Sequence, residues 1–191
     1  LETLLDGFAD ADTAAVFTRQ VPRPDCMPLF AKDTEDTFGD GSRHQYWRHC
    51  FSMASSAIRT SVWRTMPFRE DIQYSEDIDW TWRARQRGKQ IVYVKDSKVY
   101  HSHNYTLGQF FRRQYGEGKA EANIFEWSRW ERSLVRYSIL PLWRQVKSDW
   151  GYALKERKGS LLWRSPLFRG AQMIGRRRGF IAGTRENPAH E

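Results

Sequence analysis

The stretch Phe68–His103, FREDIQYSEDIDWTWRARQRGKQIVYVKDSKVYHSH, decides the fold of this chain. Ser75 suits a helix N-cap, and the acidic residues after it fill a first turn, where the helix dipole favours negative charge. Gly88 is placed to end this helix in a left-handed conformation. Ile91–Val94 is an apolar run rich in β-branched residues, which predicts a buried strand. The stretch therefore predicts a helix, a glycine stop and two short strands, the second of which leads to two histidines.

Five segments of the chain carry a family resemblance. They are Val21–Leu29, Phe51–Arg59, Glu76–Asp77, Gly88–His103 and Gln109–Gly116. Together they resemble the second half of the catalytic domain of family 2 glycosyltransferases, which are inverting enzymes of the GT-A fold. The resemblance covers about residues 1–118 well and the remainder loosely. It implies an α/β protein: a partial GT-A (nucleotide-diphospho-sugar transferase) domain with a helical C-terminal extension.

Charged residues are distributed unevenly along the chain. Residues 1–128 hold 17 basic and 18 acidic residues, whereas residues 129–191 hold 14 and 5. With the resemblance, this predicts an acceptor-side half of a GT-A domain over 1–128 and a basic, Trp-rich amphipathic helical tail over 129–191. Two interpretations of the tail stay open: a helix at an anionic lipid surface, or a helical hairpin packed on the domain with its basic face in water.

Composition and hydropathy exclude several classes of protein. With 40% hydrophobic residues among 191, the chain can build a core, so global disorder is excluded. A near-neutral first part argues against a nucleic-acid partner. No apolar run reaches transmembrane length, no signal peptide is visible, and Cys26 and Cys50 are unpatterned. We therefore expect a cytoplasmic protein, and the tail adds peripheral contact with the inner face of the cell membrane as an expectation.

Four further segments have predicted structures. Ala14–Phe17 is a strand candidate, Asp33–Ser42 reads as a loop, and Thr106 can cap a helix that runs from Leu107 towards Trp130 with an interruption at its two glycines. Between residues 134 and 181 we expect two or three amphipathic helices. Their expected breaks are Pro141, Gly159 and Pro166.

Asp77 is the predicted catalytic base. The resemblance places the family's base in the Glu76–Asp77 pair, and inverting transfer needs a base to remove the proton of the acceptor hydroxyl. Glu76 is then expected to orient the loop or to hydrogen-bond the acceptor. The alternative is that Glu76, Asp77 and Asp79 are only first-turn acids favoured by the helix dipole.

Four side chains are predicted to bind donor or acceptor. Trp80 lies on the Asp77 side of its helix and is a candidate platform for a sugar ring, whereas Trp82 is assigned to the core. Gln109, Arg112 and Arg113 lie on the next helix, where an arginine could neutralise diphosphate charge. An exposed basic helix face with no ligand explains these arginines equally well.

The resemblance implies a divalent metal, Mn²⁺ or Mg²⁺, whose ligands are mostly expected outside this chain. Asp10 and Asp12 have the Asp-x-Asp form of a metal motif, but their apolar run follows the pair instead of preceding it, which predicts a solvated turn. His101 and His103 alternate along the predicted strand and share a face, so both are candidate ligands. The alternative is that they are hydrogen-bonding residues at a strand end.

The resemblance implies a reaction in which a sugar passes, with inversion, from a nucleotide-diphosphate donor to a saccharide or lipid-linked acceptor. Rhamnosyltransferase-like members are the nearest, because of the loop Arg19–Asp25. The nucleotide-binding first half of such a domain is not recognised here, so we expect the isolated chain to be inactive. A different interpretation is a non-catalytic remnant or interaction module that needs a partner chain for the nucleotide-binding half.

Overall fold

The computed structural model describes residues 2–42, 51–128 and 130–186, which form a mixed α/β protein as predicted. The chain divides into two compact units. The first, unit 1, comprises residues 1–72 and 76–103, and the second, unit 2, comprises residues 73–75 and 104–191. The predicted boundary after Ser128 therefore falls within unit 2. Cys26 is a free thiol, and Cys50 lies outside the described residues.

Unit 1 combines short helices with a small sheet. Its elements are α1 (Glu2–Leu5), a 3₁₀ turn (Asp6–Phe8), β1 (Thr13–Val21), α2 (Pro28–Phe38), β2 (Ser56–Ile58), α3 (Thr60–Thr65), α4 (Glu76–Gln86) and β3 (Gln90–Tyr100). Among the described residues the strand order is β2-β1-β3, with β1 antiparallel to β2 and parallel to β3. The central strand β1 contains the predicted Ala14–Phe17 and is almost wholly buried.

The prediction of two short strands after Gly88 is wrong, because β3 runs unbroken from Gln90 to Tyr100. Its pairing with β1 shifts at two places, between Thr13 and Ala15 and between Thr18 and Arg19 of β1. At the second, Val94 pairs with Thr18, and Lys98 pairs with the next residue of β1. The polar residues between the two pairs form a bulge, which bends a strand without ending it.

The helix that precedes β3 ends as its sequence predicts. Gly88 has a φ of +72°, the left-handed region that glycine enters without a steric penalty. The N–H of Lys89 donates to the Ala84 carbonyl at 3.0 Å, which closes the helix end. By contrast, the predicted loop Asp33–Ser42 is wrong in its first half, because α2 continues to Phe38. An ion pair of 2.7 Å between Lys32 and Asp36, one helical turn apart, supports that continuation.

The core of unit 1 lies between α4 and the sheet. Phe17 of β1, Phe51, Met66 and Trp80 are each at most 2% exposed, and Ala84 is fully buried. The ring centroids of Phe51 and Trp80 are 5.7 Å apart, and those of Phe17 and Phe51 are also 5.7 Å apart. This aromatic cluster fixes α4 on the sheet and so fixes the position of its first turn.

Unit 2 is helical in its described part. It contains α5 (Leu107–Ile124), a π-helical turn (Val135–Ile139), α6 (Leu140–Lys155) and α7 (Ser160–Glu186). Thr106 caps α5 as predicted. The predicted interruption at Gly116 and Gly118 is wrong, since α5 is continuous through both. No described helix combines the length and the apolar character that crossing a membrane requires.

Glycines let α5 and α7 approach each other closely. A Cβ built on Gly118 would lie 2.0 Å from the Arg176 carbonyl oxygen, and one on Gly179 would lie 1.9 Å from that of Tyr115. Such distances are far below van der Waals contact. Gly118 of α5 therefore serves packing against α7, and Gly116 makes room for the Tyr74 ring, so neither glycine breaks the helix.

Two of the three expected breaks in the tail behave differently from the prediction. Pro141 lies in the first turn of α6, where its missing N–H is tolerated, and the chain continues helically from the π-turn. Pro166 lies inside α7, which runs through it. Only the segment around Gly159 separates two helices, α6 and α7, as predicted.

Two buried charge clusters join these helices. Arg169 of α7 donates to both carboxylate oxygens of Asp149 on α6, at 2.8 and 3.2 Å, and both side chains are at most 2% exposed. Tyr137 and Arg176 donate to the Glu121 carboxylate of α5, the tyrosine at 2.8 Å. Burial and the adjacent Glu121 charge raise the pKa of Tyr137 well above its usual value.

Candidate active site

The carboxyl ends of β1 and β3 bring two loops of unit 1 together. The N–H of His101 donates to the Val21 carbonyl at 3.0 Å, and the N–H of Arg23 donates to Ser102 Oγ at 3.1 Å. In α/β proteins, ligands bind beyond the carboxyl ends of parallel strands. This edge of the sheet is therefore the place to expect a ligand in unit 1.

The first turn of α4 lies towards the same edge. Only three residues separate α4 from β3, and α4 packs on the sheet, so the helix runs back antiparallel to the strand. Its N-terminus, with the half-buried Glu76 and Asp77, consequently points to the side on which β3 ends. Ser75 occupies the predicted N-cap position but has a φ of +60°, which residues other than glycine rarely adopt.

The two aspartates of this turn have different environments. Asp77 is half-buried, and its Oδ1 accepts the N–H of Ile78 at 2.8 Å. Asp79 is 3% exposed, and its carboxylate accepts Arg83 Nε at 2.7 Å and lies 3.6 Å from Arg69 Nη1. Asp79 is thus committed to a structural ion pair, whereas Asp77 is the more accessible carboxylate.

Sequence reasoning did not assign roles to Arg69 and Arg83, which hold the preceding loop on α4. Arg83 also donates to the Pro67 carbonyl at 2.9 Å, and Arg69 donates to Asp71 Oδ1 at 3.0 Å. The Arg69 hydrogen bond keeps the pKa of Asp71 below its usual value. The four-residue spacing of Asp79 and Arg83 was a signal that could have revealed this pair.

Trp80 does not form a sugar-stacking platform, which corrects the prediction. Its side chain is fully buried, and its indole N–H donates to the Met66 carbonyl at 2.7 Å. The ring packs between Phe51 and Phe68, with centroid distances of 5.7 and 6.0 Å. No face of the ring is open to a ligand. Trp82, which was assigned to the core, is the partly exposed member of the pair.

His101 and His103 lie together immediately after β3. Their ring centroids are 4.7 Å apart with perpendicular planes, His101 is half-buried and His103 is exposed. Two imidazoles at this separation offer nitrogen ligands to a metal. However, no group of three or more His, Cys, Asp or Glu side chains within the described ranges could hold an ion. The described residues therefore supply part of a metal site at most.

The candidate binding residues on α5 belong to unit 2, and two of them already have structural roles. Gln109 completes the capping box: its Oε1 accepts the Thr106 N–H at 2.9 Å. Arg113 Nε bonds Glu117 at 2.8 Å, and its Nη1 donates to the Tyr105 hydroxyl at 2.9 Å. Burial raises the pKa of that Tyr105 hydroxyl. Arg112 is exposed and has no ion pair among the described residues.

Asp10 and Asp12 form the solvated turn that the sequence predicts. Asp10 Oδ1 accepts the N–H of Asp12 at 2.8 Å, and β1 begins only after the pair. Lys89 Nζ lies 2.9 Å from Asp12 Oδ1, and this hydrogen bond holds the pKa of Asp12 below its usual value.

Two known proteins are similar to this chain. The O-antigen chain rhamnosyltransferase WbaN of Salmonella anatum is 32% identical over 132 residues, and the match covers 62% of this chain and 41% of that protein. The O-antigen chain rhamnosyltransferase RfbN of Salmonella typhimurium is 28% identical over 132 residues, with the same shares of each chain. No family model and no solved structure matches the chain.

The chain thus spans about two fifths of the length of the curated relatives that it matches. Their names agree with the glycosyltransferase resemblance in the sequence and with its rhamnosyltransferase-like character. Membership of family 2 and the GT-A fold remain predictions. The chain is thus similar, over 132 residues, to two rhamnosyltransferases.

Proposed function

We propose that this chain is the acceptor-side part of an inverting family 2 glycosyltransferase with a partial GT-A domain. The intact enzyme transfers a sugar, with rhamnose the first candidate, from a nucleotide-diphosphate donor to a saccharide or lipid-linked acceptor. It works in the cytoplasm, in the synthesis of a surface polysaccharide. The observation that carries the proposal is the similarity to two rhamnosyltransferases over 132 residues.

Asp77 is the general base in this proposal. Its support is the contrast in burial within the first turn of α4, where Asp79 is 3% exposed and Asp77 is half-buried. Removal of the acceptor proton requires a carboxylate that can reach the acceptor hydroxyl, which a buried and paired Asp79 cannot do. Glu76 positions the loop or hydrogen-bonds the acceptor. The left-handed Ser75 before the pair adds support, because strained backbone clusters at functional sites.

His101 and His103 contribute imidazole ligands to a divalent cation, Mn²⁺ or Mg²⁺, whose other ligands come from outside the described residues. When bound, the cation would neutralise diphosphate charge. Arg112 is the exposed cation of α5 that we assign to the donor, and Gln109 and Arg113 keep their structural contacts in α5.

The test is sugar transfer by the natural full-length gene product with a panel of nucleotide-activated sugars, including rhamnose donors, and with manganese or magnesium. Asp77→Asn should lower kcat by about 10²–10⁴-fold, the usual contribution of a general base. Asp96→Asn is the matched control, since Asp96 is an exposed acid of β3 in the same unit, and it should change kcat less than about twofold.

Near-normal turnover by Asp77→Asn would reduce that residue to a first-turn acid and would refute the base assignment. If the full-length protein consumes no donor of the panel, the interaction-module interpretation replaces the enzymatic one. Loss of transfer on chelation, restored by added manganese or magnesium, is expected from the metal assignment.

A further inference from the structure

Large apolar side chains are exposed along one side of α7. Trp163, Leu167, Ile174 and Ile181 follow at intervals of four, seven and seven residues, which places them on one stripe of the helix. Trp163 is 59% exposed, and Leu167 and Ile174 are each 53% exposed. The opposite side of α7 is buried within unit 2, so this stripe is a second apolar face that the described part of the chain does not cover.

A similar stripe runs along the π-turn and α6. Ile139, Trp143, Trp150 and Leu154 follow at intervals of four, seven and four residues. They are all partly exposed, with Trp143 at 59% and Leu154 at 72%. Such side chains are usually buried in a soluble helix, and their alignment on one stripe is the pattern of a helix that lies in an interface.

Residues of both stripes line a groove of about 390 Å³. Its walls include Ile139, Leu142, Ile174 and Ile181, together with Arg177 and Arg178. The two stripes and this groove are together called the α6–α7 face here.

The charge around the α6–α7 face is strongly positive. Residues 130–186 contain 13 basic and 4 acidic side chains. Asp149 and Arg169 are buried against each other, so they leave 12 basic and 3 acidic side chains in this range. Arg177 donates to the Arg132 carbonyl at 3.3 Å, and Arg178 has no acidic partner in the described ranges. Arg177 and Arg178 thus place positive charge at the edge of an apolar groove.

We infer that the α6–α7 face docks on an anionic phospholipid surface. Tryptophan rings suit the headgroup level, the leucine and isoleucine side chains reach the acyl boundary, and arginines bind lipid phosphates while their stems cover apolar surface. A second copy of the chain fits less well, because it would bring like-charged arginines together at the groove. The inference goes beyond the proposed function and stands without it, since lipid binding requires neither donor nor acceptor.

The test is flotation of the full-length protein with phosphatidylcholine vesicles that contain or lack phosphatidylglycerol. We expect binding to the anionic vesicles that weakens with salt. Arg178→Glu should weaken vesicle binding by about tenfold, because it changes the surface charge by two units. Trp163→Gln should weaken binding by a similar factor. Both side chains are exposed or half-exposed at the surface, so both variants should fold.

Matched controls come from unit 1. Arg87→Glu changes an exposed charge, and Tyr100→Gln removes an aromatic ring that is 72% exposed, so neither should alter flotation. Three results would overturn the inference: no flotation, equal flotation with neutral vesicles, or flotation that the α6–α7 variants leave unchanged. Light scattering checks the other occupant: self-association that Trp163→Gln abolishes, without vesicle binding by the wild type, would assign the face to a second copy.

Discussion

The indole N–H of Trp150 on α6 donates to the Leu162 carbonyl of α7 at 2.9 Å. Four residues beyond Leu162 stands Pro166, which has no N–H to complete the helical hydrogen bond to that carbonyl. The tryptophan therefore supplies from the neighbouring helix the donor that proline removes. This relationship explains why α7 continues through a residue that ends most helices.

The variant Trp150→Phe tests whether the indole N–H replaces the N–H that Pro166 lacks. The Leu162 carbonyl would lose its partner, and we expect unit 2 to lose about 1–2 kcal/mol of stability. In a Pro166→Ala background the helix supplies its own N–H, so the same Trp150→Phe change should cost markedly less. Hydrogen-exchange protection of the α6 and α7 amides measures both effects. Trp143→Phe is the control, and equal losses with and without Pro166 would contradict the interpretation.

The close approach of α5 and α7 predicts opposite effects for two glycines in helices. Gly179→Ala would place a methyl group 1.9 Å from the Tyr115 carbonyl oxygen, so the helices must separate. We expect a loss of about 2–4 kcal/mol, because overpacking and helix displacement add. Gly151→Ala meets nothing within 4 Å and should instead stabilise unit 2 by about 0.5–1 kcal/mol. Urea denaturation followed by circular dichroism compares them.

The buried pair of Asp149 and Arg169 should be more costly to break than to replace. Asp149→Ala leaves a guanidinium that is 2% exposed without its carboxylate, for an expected loss of about 3–5 kcal/mol. The double variant Asp149→Leu with Arg169→Met removes both charges and should recover much of that loss. Urea unfolding of the three proteins tests this. If the double variant is no more stable than Asp149→Ala, the pair has a further role in fixing the hairpin.

Several local signals in the sequence predicted the structure correctly. Gly88 ends α4, Thr106 begins α5 with a capping box, and Ala14–Phe17 lies in the central strand. Each of these features depends on a few neighbouring residues and on their own backbone preferences. The Asp10 turn was also predicted, because the apolar run follows the acidic pair instead of preceding it.

Predictions that required tertiary information failed. Trp80 and Trp82 lie on nearly opposite sides of α4, and only the position of the sheet decides which of them is core. Pro166 was expected to end a helix. The donor that replaces its missing N–H, the indole of Trp150, lies on a different helix and cannot be identified from the local sequence. In the candidate site, the sequence predicted the acidic first turn of α4. It did not predict that Asp79 is buried and forms an ion pair with Arg83.

Alkaline pH should destabilise unit 2 through Tyr137. Burial and the adjacent Glu121 charge raise the pKa of this phenol well above that of an unfolded tyrosine. Because the pKa is raised in the folded state, the contribution of Tyr137 to stability is fully present below about pH 10, the pKa of an unfolded tyrosine. It is lost as the pH rises towards the pKa of the folded state. Tyr137→Phe should therefore be less stable at neutral pH but less sensitive to alkali. Parallel stability curves against pH for the two proteins would contradict this assignment.

Substitution of Asp79 should mainly lower stability, whereas substitution of Asp77 should mainly lower catalysis. Asp79→Ala leaves Arg83 and Arg69 without their shared carboxylate, so we expect unit 1 to lose about 1–3 kcal/mol, discounted for the partial exposure of the arginines. Asp77→Asn keeps a hydrogen-bond acceptor in the first turn and should change stability by less than about 1 kcal/mol.

The activities should rank in the opposite order in the full-length protein. At a temperature where Asp79→Ala is folded, it should retain turnover near that of the wild type, whereas Asp77→Asn should lose turnover while fully folded. Thermal unfolding and initial rates, measured on the same preparations, provide both readouts. A folded Asp79→Ala with the larger loss of kcat would transfer the base role from Asp77 to the Asp79 network, because burial alone does not explain a loss of turnover in a folded protein.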